Sequence, residues 1–304
     1  MSISALVIGY GSIGKRHTDV LSEMDGIGSI AIVSSQTNLP FLTIESLEDI
    51  LGFNPDYVII ASPTTQHLYQ LEFMEEHLEG KKILVEKPLF DSFCELEIKN
   101  NQVYVGYNLR FHPLLKKIKK FISGRPLWNL QVFCGSYLPD WRPERDYRQT
   151  YSAKKNSGGG VLLDLSHELD YVQWLAGNIE LKHAVSEKVS VLDIDSDDLL
   201  LLSGKTEGGA HIHISQNYFT RNPLRQILID GKGISIRADL VTNLLSVVED
   251  GEASDYSYPE LERNNLYRAQ HQAVLEDNRS CICTYDEGLE TMRLIDRIRS
   301  FGNK

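Results

Sequence analysis

Ser2-Ile3-Ser4-Ala5-Leu6-Val7-Ile8-Gly9-Tyr10-Gly11-Ser12-Ile13-Gly14 is the stretch whose reading decides the fold. Ala5 to Ile8 is a short apolar run with β-branched members, the pattern of a strand buried on both faces. Gly9, Gly11 and Gly14 form G-x-G-x-x-G, and Ile13 to Met24 continues with helix-compatible spacing. In a strand–turn–helix of this kind the first glycine permits the tight turn, and the second lets a pyrophosphate approach the backbone. The third lets helix and strand pack closely, with the helix N-terminus facing the anion. The spacing therefore predicts a dinucleotide site made by Gly9, Tyr10, Gly11, Ser12, Ile13 and Gly14; the plainer alternative is an ordinary glycine-rich turn.

Working outward, Ser29 to Val33 reads as a second strand. An NAD site usually places an acid at the end of that strand, on the ribose 2′-hydroxyl. Here the residues are Ser34-Ser35-Gln36-Thr37. Their lack of a carboxylate, with Lys15 and Arg16 nearby, tilts the expected cofactor, NAD(P)(H), towards NADP(H). Leu47 to Leu51 reads as a short helix. Pro55 to Ala61 is the next buried strand, and it delivers Ser62, Pro63 and His67 to the carboxyl edge of the sheet, where ligands bind in open α/β folds. His67 is read either as a cofactor contact or as a helix-start histidine with a structural hydrogen bond. Lys82 to Val85 is a further strand and brings Glu86-Lys87-Pro88 to the same edge. A lysine at a strand end is ordinarily surface charge; in this slot Lys87 is read as functional.

Gly9-Tyr-Gly-Ser-Ile-Gly14, Ala61-Ser-Pro63 with His67, Glu86-Lys-Pro88 and Gly106-Tyr-Asn-Leu-Arg-Phe-His-Pro113 together resemble the glucose–fructose oxidoreductase / inositol dehydrogenase (Gfo/Idh/MocA) family. The resemblance implies a doubly wound parallel Rossmann domain, residues 1–109, and a C-terminal α+β domain, residues 110–304, with a large, mostly antiparallel open sheet. It also implies NAD(P)-dependent oxidation or reduction of sugars, cyclitols and their derivatives. Runs of strand pattern at Leu127–Ser136, Lys182–Val191, Leu199–Lys205, Ala210–Phe219, Arg225–Asp230, Gly233–Arg237 and Asn243–Val248 independently predict that second sheet.

Between those strands lies Ser157-Gly-Gly-Gly160 followed by Val161 to Leu175, an apolar helical pattern carrying Asp164, His167 and Asp170 at three-residue spacing. These fall near one helix face, and polar groups on an apolar face call for a purpose. The resemblance makes this the catalytic segment, although two residues, not three, separate Asp164 from His167 here. In the resembled family this segment carries the catalytic Asp and His; His167 is expected as acid/base, with Lys87 on the same substrate oxygen and Asp164 or Asp170 orienting the imidazole. A carbinol releases hydride only if its proton also leaves, and histidine titrates where such a base is needed. The loop Tyr137 to Arg148, rich in Trp, Tyr and Arg, adds Trp141 and Arg142 to the expected substrate contacts Lys87, Asn108, Arg110, His112, Asp164 and His167. Such residues stack on sugar rings and pair with phosphate or carboxylate; the alternative is a domain-packing loop whose arginines pair with its own acids.

The remaining features narrow the class. A net charge of −11 over 304 residues argues against nucleic acid as partner. The basic run Lys116-Lys117-Ile118-Lys119-Lys120 reads as the solvated side of an amphipathic helix. No apolar run approaches the ~18 residues of a membrane span, no secretory signal is visible, and four scattered cysteines give neither a zinc nor a redox spacing. No metal is expected, and a cytoplasmic enzyme is. Its substrate is a sugar or sugar derivative, with a nucleotide-activated or acidic sugar of surface-polysaccharide metabolism in view. The open sheet points to a homodimer or homotetramer. Two other functions stay open: a redox-neutral epimerase or lyase using transient oxidation, and a non-catalytic NAD(P)-binding regulator.

Overall fold

The computed structural model describes residues 2–301. In chain order the first elements are β1 (Ile3–Ile8), α1 (Ser12–Ser22), β2 (Ile27–Val33), β3 (Leu42–Ile44), α2 (Ile50–Phe53), β4 (Tyr57–Ile60), α3 (His67–His77), β5 (Lys82–Val85) and β6 (Gln102–Val105). Then come α4 (Pro113–Ile122), β7 (Leu127–Gly135), α5 (Val161–Asp164), α6 (His167–Ala176), β8 (Ile179–Glu187), β9 (Leu199–Thr206), β10 (His211–Asn217), β11 (Leu224–Gly231), β12 (Ile234–Asp239), β13 (Leu244–Glu249) and β14 (Glu252–Ser257). The chain closes with α7 (Arg263–Leu275), β15 (Cys283–Thr284) and α8 (Tyr285–Phe301).

Two compact units result. The first runs to Phe111 and takes in Glu262–Leu289; the second comprises His112–Leu261 and the chain from Glu290 onward. The segment Glu262–Leu289 was expected in the second domain. It belongs with the first because β15 pairs antiparallel with β6, and because Lys82 Nζ donates to the carbonyls of Val274 (2.9 Å) and Leu275 (2.7 Å) at the end of α7.

In the first unit the sheet order is β15-β6-β5-β4-β1-β2-β3, parallel throughout except at β15. Without β15 this is the doubly wound order 3-2-1-4-5-6, whose strand order reverses between β1 and β4. Ala5, Leu6, Val7 and Ile8 of β1 and all of β4 are buried, which is why both read as continuous apolar runs.

The second unit carries an eight-stranded sheet in the order β14-β13-β12-β11-β7-β10-β9-β8. Only β7 and β10 pair in parallel; every other neighbour is antiparallel. Burial alternates along its strands: Ile212 and Ile214 face the core, while His211 and His213 face out on the same side. β14 escapes sequence reading because it is a largely exposed edge strand, Glu-Ala-Ser-Asp-Tyr-Ser, with no apolar alternation to betray it. The basic run lies on α4, whose buried face is Leu114, Leu115, Ile118 and Ile122. Two of its lysines also lie over aromatic rings, Lys117 on Tyr256 at 3.9 Å and Lys119 on Trp174 at 3.8 Å.

Candidate active site

Each glycine of the first turn has its own reason. Gly9 has φ +91°, and a Cβ there would come within 2.7 Å of the Ser62 backbone. A Cβ at Gly14 would meet the Gly9 carbonyl oxygen at 1.9 Å, so helix and strand close on each other only without a side chain. Gly11, immediately before α1, has nothing within 4 Å of its Cβ position. Packing does not require that glycine; a ligand approaching the N-terminus of α1 does. The backbone thus fits a dinucleotide pyrophosphate, with Ser12 and Ile13 opening the helix. At the end of β2, Gln36 reaches back to donate to the Tyr10 carbonyl (3.0 Å), while the Ser34 hydroxyl accepts from the Gln36 amide and Ser35 is exposed.

After β4 the loop is held from inside. Ser62 Oγ donates to Gln70 Oε1 at 2.6 Å, and Pro63 precedes a short 3₁₀ turn. His67 is buried; its Nε2 faces the Ser62 carbonyl at 3.0 Å and its Nδ1 the carbonyls of Pro88 and Leu89, each at 3.2 Å. Burial pulls its pKa down, against the pull of those carbonyls. The His67 side chain thus ties the two strand-end loops together, the structural hydrogen bonding that was one of its two readings. The Glu86 carboxyl turns inward, within 2.9 Å of His17 Nε2. Lys87 follows it, half-buried, with a cis bond to Pro88.

Two of the expected substrate contacts are engaged elsewhere. Arg110 is buried, and its guanidinium donates to Glu287 at 2.9 Å and to the Ile282 carbonyl at 3.4 Å. His112 is 3% exposed. Its Nδ1 accepts from the Leu114 amide as the N-cap of α4 (3.2 Å), and its Nε2 donates to Asn243 Oδ1 (3.0 Å). Burial lowers its pKa to about 4. The sequence showed an arginine and a histidine at a domain crossing; it did not show that an ion pair and a helix cap claim them. Asn108 is buried in the 3₁₀ turn that leads to the boundary.

In the second unit the expected single helix over 161–175 is two. The Gln216 side chain, from β10, donates to the Leu165 carbonyl at 2.6 Å, taking an acceptor that an unbroken helix would give to residue 169. The backbone answers with an i−3 bond from Ser166 to Leu163, and α6 starts afresh at His167. Asp164 therefore ends one helix and His167 begins the next; His167 and Asp170 share α6, while Asp164 lies on a separate helix, so no single helix face carries all three. The glycines before α5 are tightly turned: a Cβ on Gly159 would meet the Tyr151 carbonyl at 2.1 Å, and one on Gly160 (φ +113°) the Asp197 carboxyl at 2.1 Å. Asp197 caps α5 by accepting from the Leu162 amide at 2.9 Å, and burial raises its pKa.

Around Asp164 the structure assembles residues that the sequence did not single out. Tyr218 donates its hydroxyl to Asp164 Oδ2 at 2.6 Å. The charge of Asp164 is also the main cause raising the pKa of Tyr151. Trp141 packs edge-on to Tyr218 at 5.2 Å, and the Arg142 guanidinium sits 5.9 Å from the Tyr151 ring centroid. Trp141 and Arg142 thus border the two phenols that face Asp164. Arg142, Arg145, Asp146, Gln149, Thr150 and Tyr151 line a cleft of about 510 Å³. Asp146 is already paired with Arg148, through Nε at 2.9 Å and Nη2 at 2.7 Å. Next to His167, the buried Glu168 accepts from Arg225 Nε at 2.6 Å and from Gln216 at 3.1 Å, which fixes the first turn of α6.

A dinucleotide turn at the switch point of one unit and an acid–histidine segment on a large open sheet in the other define an oxidoreductase-type architecture. Residues 3–101 match the family model described as "Oxidoreductase family, NAD-binding Rossmann fold", and residues 116–237 match the GFO/IDH/MocA C-terminal domain. The chain belongs to the GFO/IDH/MocA family of oxidoreductases. It is 25% identical over 227 residues to the uncharacterized oxidoreductase YrbE of Bacillus subtilis, a match covering 67% of this chain and 64% of that one, just under two thirds of the relative's length. Among solved structures it is similar to levoglucosan dehydrogenase in complex with NADH and levoglucosan, at TM-score 0.85 and 18% identity, covering 100% of this chain and 98% of that one. It is also similar to the WlbA dehydrogenase of Bordetella pertussis in complex with NADH and UDP-GlcNAcA, at TM-score 0.79 and 19% identity, covering 100% and 97%. At these identities the two structures speak to the fold.

Proposed function

We propose that the protein is an NAD(P)-dependent dehydrogenase that exchanges hydride with a carbinol carbon of a sugar or sugar derivative. The observation that carries this reading is the open Cβ position at Gly11, flanked by two glycines that packing does demand. The dinucleotide, when bound, supplies a hydride acceptor or donor. Lys87 and His167 act on one substrate hydroxyl: His167 moves its proton, and the Lys87 ammonium stabilises charge developing on the oxygen. Asp164, with Tyr218 and Tyr151 at its carboxyl, positions groups at the start of α6. Ser34 and Ser35 offer no carboxylate to repel a 2′-phosphate, so NADPH is expected to bind at least as tightly as NADH.

Arg142 and Arg145 beside Tyr151 favour an anionic sugar, either acidic or nucleotide-activated. The outward face of the second sheet, including Phe133, Leu201 and Leu228, supplies a surface for a homodimer or homotetramer. Light scattering on the purified protein measures that directly. The functional test is a panel of neutral, acidic and nucleotide-activated sugars, followed at 340 nm with both cofactors. Stoichiometric reduction with an anionic sugar supports the proposal. Turnover of sugar with no net change in cofactor would favour the redox-neutral reading. A tight cofactor complex inert to the whole panel would favour the regulator.

A further inference from the structure

Behind Glu86 a chain of buried polar groups runs through the first unit with no part in the chemistry described so far. Tyr57 on β4 places its hydroxyl 2.8 Å from His271 Nδ1; His271 on α7 places Nε2 2.9 Å from His17 Nδ1; His17 on α1 places Nε2 2.9 Å from Glu86 Oε1. Tyr57, His17 and His271 are each 0% exposed. Four elements that are remote in sequence thus meet in one line of hydrogen bonds, and its far end is the residue before Lys87.

The direction of the chain can be worked out from its ends. Burial raises the Tyr57 pKa far above its usual value, so the phenol keeps its proton, and His271 is the acceptor within reach. Burial pulls the His271 pKa far down, so that ring carries a single proton. With Nδ1 accepting from Tyr57, the His271 proton sits on Nε2 and points at His17 Nδ1. His17 Nδ1 then accepts, and the His17 proton on Nε2 points at Glu86. Each donor in the line has one acceptor, which is what burial demands.

The other Glu86 oxygen, Oε2, accepts from the Lys87 main-chain amide at 3.2 Å. Gly106 completes the seat, because a Cβ there would approach Oε1 to 2.8 Å. The carboxyl is gripped by His17 on one oxygen and itself grips the Lys87 backbone with the other. Tyr57 has no exposed surface, so the chain has no outlet to solvent at that end and does not serve as a proton wire.

We propose that His17, oriented by His271 and Tyr57, is a positioning residue that fixes the Lys87 backbone through Glu86. The role of Lys87 itself rests on the proposed function, but the hydrogen-bond chain does not, and the test is chosen to read the chain without substrate.

The experiment is amide hydrogen exchange at Lys87, read by NMR on the full-length protein, in wild type, His17→Leu and His17→Gln. Glutamine carries an N–H where the imidazole Nε2 donates, and leucine does not. The expected result is exchange at Lys87 at least tenfold faster in His17→Leu, within threefold of wild type in His17→Gln, with the amides of Leu84 and Ile59 unchanged in both. Equal acceleration at all three amides in His17→Leu would mean general loosening and would overturn the proposal, as would no acceleration at Lys87. Should His17→Leu fail to fold, His17→Phe restores the ring volume without the donor and carries the same expectation. Two-bond ¹H–¹⁵N spectra of the wild-type imidazoles give a second reading. Both His17 and His271 are expected with the proton on Nε2 alone, and a doubly protonated His17 would contradict the assigned direction. Absence of sugar turnover in wild type would count against the proposed function and leave these readings intact.

Discussion

Two glycine-rich entries to helices, Gly9–Gly14 and Gly158–His167, are built on opposite plans. In the first the backbone does nearly everything: Gly9 needs a positive φ, Gly14 needs contact with a carbonyl, and Gly11 leaves room for a ligand. In the second, side chains from far along the chain shape the segment. Asp197 caps α5, Gln216 interrupts the helix at Leu165, and Tyr218 holds Asp164. A site made of local backbone geometry announces itself in six residues. A site made of borrowed side chains does not.

This contrast predicts where single substitutions hurt most. Gly14→Ala drives a methyl group into the Gly9 carbonyl, and overpacking of this kind costs about 3 kcal/mol or more; urea unfolding measures it, and NADH binding is expected to be lost as well. Gly11→Ala sharpens the point, since its Cβ meets nothing within 4 Å. Its stability is expected within about 0.5 kcal/mol of wild type, with dinucleotide affinity reduced at least tenfold by fluorescence titration. Equal stability losses for the two variants would erase the distinction drawn between them.

On the other side of the comparison, Gln216→Leu leaves the Leu165 carbonyl with the Glu168 amide as donor and removes the amide donor to the Glu168 carboxylate. Losing two buried hydrogen bonds, one of them to a carboxylate, costs about 1–3 kcal/mol. The same variant is expected to lower turnover more than cofactor affinity, because the helix break sits in the second unit. A continuous helix over 161–176 in a crystal structure of Gln216→Leu would show directly that the side chain makes the break.

The smallest effect concerns pH. His112 titrates at about 4 in the folded protein, depressed by burial, against an unfolded value near 6.5. The unfolded chain therefore binds more protons between those values, and stability falls as pH drops through them. The contribution is fully present above about pH 6.5, costs under 1 kcal/mol by pH 6 and about 2 kcal/mol by pH 5. His112→Asn keeps an N-cap acceptor without a titrating ring. Its unfolding free energy is expected to lose up to one proton of pH dependence across that range, and an unchanged slope would remove His112 from the list of buried neutral histidines.

The legibility of the chain follows the same division. The buried strands of the first sheet, β1, β2 and β4–β6, and the strands β7 and β9–β13 of the second were readable because burial on one or both faces writes itself into apolar pattern. The return of Glu262–Leu289 to the first unit was not, because it depends on a two-residue strand, β15, and on polar ties such as Lys82 to the end of α7. Arg110, His112 and His67 were read from residue type and place in the chain. Their actual partners, Glu287, Asn243 and the carbonyls of Ser62, Pro88 and Leu89, come from residues whose proximity no spacing rule gives. Tyr151 and Tyr218 went unnoticed because a tyrosine at a strand end or in a loop looks like ordinary core or surface until its hydroxyl is seen to face a carboxylate.

The central claim is that hydride passes between a nicotinamide and a substrate carbon under the control of His167. Reduced cofactor carrying deuterium at both nicotinamide C4 positions, incubated with the keto form of the sugar that responds best, tests it by mass spectrometry of the product. The account predicts one deuterium on the newly formed carbinol carbon, delivered at least about a hundredfold more slowly by His167→Ala with the fold intact. Product without deuterium, or a His167→Ala rate within tenfold of wild type, would contradict it.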